Sequence, residues 1–210
     1  MLTVDIVSDF VCPWCFIGIR RLAAALAEIR RDQPDFTCRK RWRPFFLNPD
    51  TPPEGEPYLP FLERKFGGRA AVEGIFERVR QAGQASGVTF AFENIPLRVN
   101  TLQAHRLLHW AQRNGDAEAL VERLFVGNFH RGENLGDTAV LRRIAEECGY
   151  PGAEVAAYLA ADVDRQTVLD REQEVHAMGI NMVPTYIVGG REVIVGAEDP
   201  SILAAAMRPA

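Results

Sequence analysis

Cys12-Pro13-Trp14-Cys15 sets two thiols three positions apart with a proline between them. Cysteines at that spacing serve one of two chemistries. They exchange disulfides, the first as attacking thiolate and the second as resolving thiol, or they supply half of a tetrahedral zinc site. The completing half would be His105 and His109, four apart on one helical face. Those histidines lie ninety residues beyond Cys15, against about a dozen in a compact finger. Pro13 and the flanking elements also favour redox chemistry, so no metal is expected.

The elements around the pair divide the two sulfurs. Residues 2–7 alternate apolar and polar and are rich in β-branched side chains, which predicts a strand. From Cys15 the apolar positions Ile19, Leu22, Leu26 and Ile29 follow at helical spacing and form one buried stripe. Pro13 suits the first position of that helix, which makes Cys12 its N-cap. Cys15 then lies on the buried stripe. Cys12 sits by the unpaired N–H groups and the positive helix end, which favour thiolate over thiol. Cys12 is expected to be the accessible nucleophile and Cys15 the buried resolving thiol.

The 210 residues carry 24 basic and 28 acidic side chains, a balance that points to neither nucleic acid nor an anionic membrane. No apolar run approaches the roughly 18 residues of a membrane span. Asp5 and Asp9 interrupt the place where a signal peptide would carry its apolar core, so a cytoplasmic protein is expected. Cysteines at 12, 15, 38 and 148 do not form a secreted disulfide framework. They fit one redox pair in a reducing compartment, with Cys38 a core residue and Cys148 near a helix end.

Residues 36–47 read as a second strand, with Phe36, Cys38, Trp42 and Phe46 on one face and Arg39, Arg41 and Arg43 forming a solvated face opposite. Six of the thirteen prolines fall within 44–60, which predicts a linker or boundary. Helices are predicted over 101–114 with Asn100 as N-cap, 117–129, 138–148 capped by Asp137, 153–161, and from about Asp164 to Met178. Strands follow at 185–188 and 192–195, joined by a two-residue hairpin at Gly189-Gly190, and Asp199-Pro200 opens a final helix. The expected fold is α/β and thioredoxin-like, built from residues 1–48 and 166–210, with a large inserted α-helical domain over 49–165.

Ser8-Asp9-Phe10-Val11-Cys12-Pro13-Trp14-Cys15 together with Val183-Pro184-Thr185-Tyr186 resembles the DsbA superfamily of thiol–disulfide oxidoreductases. The run Asn100-Thr101-Leu102-Gln103-Ala104-His105-Arg106-Leu107 is similar to the cytosolic FrnE-like branch. That branch is related to 2-hydroxychromene-2-carboxylate isomerases and kappa-class glutathione transferases. The resemblance implies disulfide exchange, with Pro184 a cis-proline facing the active-site sulfur and Val183 orienting the substrate beside Pro13 and Trp14. It implies a helical insertion over the site, to whose wall Asn100, Thr101 and His105 are assigned.

The isomerase and transferase relatives carry serine where this chain has Cys12 and lack the second cysteine. Two sulfurs favour redox work over glutathione-dependent isomerisation of an aromatic or polyketide-like compound, the alternative function. Secreted DsbA proteins carry histidine where this chain has Trp14, so a less oxidising pair is expected. Expected partners are thiol or disulfide proteins or small molecules, with no tightly bound cofactor and glutathione as candidate co-substrate. Either a monomer or a homodimer is compatible with the sequence.

Overall fold

A single strand, β1 (Leu2–Ser8), runs through the middle of the sheet and is buried from Val4 onward. The structure is a computed structural model that describes residues 1–208. On one side β1 pairs in parallel with β2 (Cys38–Pro44). On the other it pairs antiparallel with β5 (Thr185–Val188), which pairs antiparallel with β6 (Glu192–Val195). The order β2-β1-β5-β6 is that of a thioredoxin-like sheet. Helix α1 (Pro13–Asp32) makes the crossover between the parallel strands, as such a pair requires.

Between β2 and the return to the sheet the chain is mostly helical. It forms a short ladder of β3 (Glu56–Pro57) with β4 (Leu97–Arg98), then α2 (Tyr58–Phe66), α3 (Arg69–Ala85), α4 (Leu102–Asn114), α5 (Glu118–Phe129), α6 (Thr138–Glu147) and α7 (Gly152–Ala160). Helix α8 (Arg165–Ala177) then packs on β2, and α9 (Pro200–Met207) packs on α1. Aromatic side chains fasten the helical block to the start of α1. Phe16 of α1 stacks on Phe125 of α5 with centroids 5.3 Å apart, and Phe10 meets the same ring at 5.2 Å. Such pairs contribute about 0.5–1.5 kcal/mol each beyond the area they bury.

Several boundaries differ from the sequence reading. Strand β2 is shorter than 36–47, because β1 offers partners only from Leu2, opposite Cys38, to Ser8, opposite Pro44. The proline-rich stretch holds β3 and the start of α2, with Pro60 in the first turn, where no N–H is needed for the helical ladder. The β5–β6 loop has three residues, since Val188 pairs with Glu192, with Gly189 and Gly190 at φ 59° and 71°. The N-cap position of α4 is Thr101, although the Asn100 side chain does accept from the Leu102 N–H at 3.1 Å. Asp137 caps α6 and Asp199 caps α9 through their carboxylates.

The arginine face of β2 is only partly solvated. Arg41 grips the buried Asp5 carboxylate with two hydrogen bonds of 2.5 and 2.8 Å, and Arg43 approaches it at 3.3 Å. A carboxylate on a central strand is tolerable only with such partners. Arg39 remains exposed, and Cys38 is half-buried against the core.

Candidate active site

The chain leaves β1 at Ser8, turns through Asp9, Phe10 and Val11, and enters α1 at Pro13. The Cys12 N–H donates to the Asp9 carbonyl at 3.1 Å and the Cys15 N–H to the Cys12 carbonyl at 3.0 Å. Cys12 holds the extended N-cap conformation, φ −94° and ψ 111°, with no side-chain cap bond of its own. Its sulfur faces Val183 across the fold, Sγ lying 3.8 Å from the carbonyl oxygen. The Val183–Pro184 peptide bond is cis. Both cysteines are free thiols.

Cys15 is fully buried. Burial pushes its thiol well above the ordinary cysteine range, and the neighbouring Cys12 sulfur pushes it further. Cys12 itself is not at the open surface; only 4 % of it is exposed. It is reached through a cavity of about 290 Å³, where it lies with Pro13, Trp14 and Val183. Trp14, 40 % exposed, stands at the rim. The opposite wall is apolar and comes from α2 and α3, through residues such as Phe61, Ile75 and Phe76, and from Phe92. Arg98 closes one end, its guanidinium 3.9 Å over the Phe61 ring and paired with Glu56 and Asp50.

The wall comes from the inserted helical block, but from α2 and α3 and not from the residues assigned to it. Asn100 bonds the Thr51 carbonyl at 2.8 Å and caps Leu102, Thr101 is buried at the start of α4, and none of Asn100, Thr101 and His105 lines the cavity. His105 lies behind the site instead. Its Nε2 is 3.2 Å from Oδ1 of the buried Asp9, whose Oδ2 accepts from the Leu47 N–H at 2.8 Å. Asp9 is close enough to Cys15 for its charge to act on that thiol. No group of three or more metal-ligating side chains occurs among the described residues.

Two further residues shape the site in ways the sequence did not show. Gly18 lets α1 press against the Pro184 loop: a Cβ there would lie 2.3 Å from the Tyr186 hydroxyl and 3.0 Å from Pro184 Cγ. That hydroxyl is buried and has no hydrogen-bond partner among the described residues. Burial raises the Tyr186 phenol far above its ordinary range, and the charges of Cys15 and Cys12 add to the shift. A buried polar group without a partner, near two sulfurs, is the kind of exception that marks working sites.

The model of the DSBA-like thioredoxin domain family matches residues 3–208. Among curated proteins, the uncharacterized protein YwbO of Bacillus subtilis (strain 168) is 27% identical over 190 residues, covering 89% of this chain and 86% of its own. Among solved structures, the probable DsbA oxidoreductase SCO1869 of Streptomyces coelicolor superposes with a TM-score of 0.88 at 27% identity, over 99% of this chain and 88% of that one. The cytosolic disulfide reductase DsbM of Pseudomonas aeruginosa, solved with GSH, shares the fold at a TM-score of 0.67 and 17% identity, over 97% of this chain and 96% of that one.

Proposed function

The chain belongs to the DSBA-like thioredoxin domain family, and from that premise we propose that it is a thiol–disulfide oxidoreductase of the FrnE-like branch. Cys12 is the nucleophile and Cys15 the resolving thiol. In the reducing direction the Cys12 thiolate attacks one sulfur of a substrate disulfide. A bond forms between Cys12 and that sulfur, the substrate S–S bond breaks, and the second substrate sulfur leaves as thiolate. Cys15 then gives up its proton to the substrate thiolate released in the first step and attacks Cys12 Sγ. The Cys12–Cys15 bond forms, the mixed disulfide breaks, and the first substrate sulfur leaves. The substrate disulfide has been reduced to two thiols and the pair oxidised. Two thiol equivalents, for which glutathione is the candidate donor, return the pair to its dithiol form.

The observation that carries this reading is the placement of the two thiols. One heads α1 against the Val183 carbonyl in a cavity, and the other is fully buried behind it. Pro13, Trp14, Val183 and Pro184 would hold the substrate sulfur in line, while the apolar wall selects what accompanies it. Asp9, anchored by His105 and the Leu47 N–H, braces the turn that carries Cys12, its carbonyl accepting the Cys12 N–H. A single CxxC pair with two separated cysteines suits a reducing cytoplasm. No helix among the described residues is long and apolar enough to cross a membrane.

Trapping tests the mechanism. With Cys15→Ser, attack by Cys12 still occurs but the intramolecular thiol that expels the partner is gone, so a covalent adduct that dithiothreitol cleaves accumulates. Cys12→Ser gives none. Full turnover by Cys15→Ser with no reducible adduct refutes disulfide exchange and supports the glutathione-dependent isomerase or transferase alternative.

A further inference from the structure

A second concave site lies at the outer edge of β2 and shares no residue with the cavity at Cys12. It is a cleft of about 690 Å³ that wraps the strand edge between α8 on one face and α4 with the start of α5 on the other. Its lining carries Arg39, Lys40, Arg41, Arg43, Arg113 and Arg171 against three carboxylates, Asp5, Asp116 and Glu118. The protein as a whole has a net charge of −4. A cationic concavity on an anionic chain focuses its field on an incoming anion.

The ion pairs on this face do not exhaust the cations. Asp5 is shared by Arg41 and Arg43, Arg43 also meets Glu174 at 3.7 Å, Glu118 takes Lys40, and Arg113 pairs with Asp164 at 2.7 Å. Arg39 and Arg171 are exposed and have no carboxylate partner among the described residues. Two groups in the lining are buried yet incompletely bonded. Arg43 Nε lies 3.3 Å from Asp5 Oδ2 without hydrogen-bond geometry. His109, with a side chain only 9 % exposed, sits 3.9 Å from Asp164 Oδ2, and no hydrogen-bond partner reaches its ring among the described residues. Burial and the charges of Arg171 and Arg113, against that of Asp164, hold the His109 imidazole below its ordinary range, and its ring carries an N–H to donate.

The chemistry of the lining selects the ligand. Five of the six cations are guanidiniums, whose planar forks match phosphoryl oxygens. The volume lies within the range of small-molecule sites. Addition of an acidic peptide strand to the edge of β2 is disfavoured, because Gln112 already bonds the Trp42 N–H at 2.7 Å and carbonyl at 3.2 Å. We propose that this cleft binds a small molecule bearing two or more phosphoryl groups, held by Arg39 and Arg171 with His109 donating from the wall.

Isothermal titration of the full chain with inorganic pyrophosphate and with tripolyphosphate, at low ionic strength, tests the site. Saturable binding is expected, tighter for tripolyphosphate and weakening as sodium chloride screens the charges. Arg39→Gln and Arg171→Gln should each weaken it about tenfold, the loss of roughly one charge-assisted hydrogen bond. Both side chains are exposed and unpaired, so far-UV circular dichroism and disulfide exchange at Cys12 should match the wild type. No saturable heat at millimolar pyrophosphate, or unchanged affinity in both variants, overturns the site. Citrate binding as tightly as pyrophosphate overturns the phosphoryl assignment.

Discussion

Tyr186→Phe is expected to stabilise the reduced protein while slowing its chemistry. The Tyr186 side chain is completely buried and its hydroxyl lacks a partner among the described residues. An unsatisfied buried hydroxyl costs about 1–3 kcal/mol of desolvation. Phenylalanine keeps the ring and removes that cost, less a small packing loss where the oxygen meets Gly18. A net gain of about 1 kcal/mol follows, which for a chain of 210 residues raises Tm by roughly 2–4 °C. The same hydroxyl, which bonds neither sulfur in the reduced protein, is expected to donate to the Cys15 thiolate that forms during resolution. The charges of Cys15 and Cys12 both reach the phenol, which stays protonated and able to donate. A hydrogen bond to a charged group contributes about 1.5–3 kcal/mol, so losing it should lengthen the life of the mixed disulfide by about tenfold or more. Urea unfolding of the reduced protein and stopped-flow reaction with an alkyl disulfide read the two effects separately. A reduced variant less stable than wild type by more than about 1 kcal/mol would show that the hydroxyl already has a partner. Unchanged resolution kinetics would remove it from the reaction.

Two glycines should respond in opposite directions to alanine. Gly18→Ala drives a Cβ to 2.3 Å from the Tyr186 hydroxyl and 3.0 Å from Pro184 Cγ, and overpacking of about 1–3 kcal/mol outweighs the helix-propensity gain of about 1 kcal/mol. Gly74→Ala in α3 meets only the flexible end of Arg78, at 4.0 Å, and should stabilise by about 0.5–1 kcal/mol. Urea midpoints measure both; equal stability of Gly18→Ala and wild type would contradict the close approach. The buried Cys15 thiol also predicts a pH dependence. Its folded pKa is raised, so the unfolded chain releases that proton first, from about pH 8.5 upward, and the folded state loses stability as pH climbs beyond it. Reduced wild type should therefore lose stability between pH 7 and about 9.5 relative to Cys15→Ala, and parallel curves would show an ordinary thiol.

What could be read along the chain was local. The β1 pattern, Pro13 at the head of α1 and the Asp137 and Asp199 caps act over a few residues, and each stands where its spacing put it. A CxxC at a helix start carries its chemistry in four residues, so the pair was visible before any fold. The limits of β2 were not, because its ends are set by β1, a separate segment. Nor was the role of Arg41 and Arg43, which depends on Asp5 from the adjacent strand. Only packing decided that Cys12 is sheltered, that its cavity is walled by α2 and α3, and that His105 stands behind Asp9. These contacts join residues up to 171 positions apart, as between Cys12 and Val183. Helical and strand periodicity tells which face of an element is buried, but it does not say which distant element covers it.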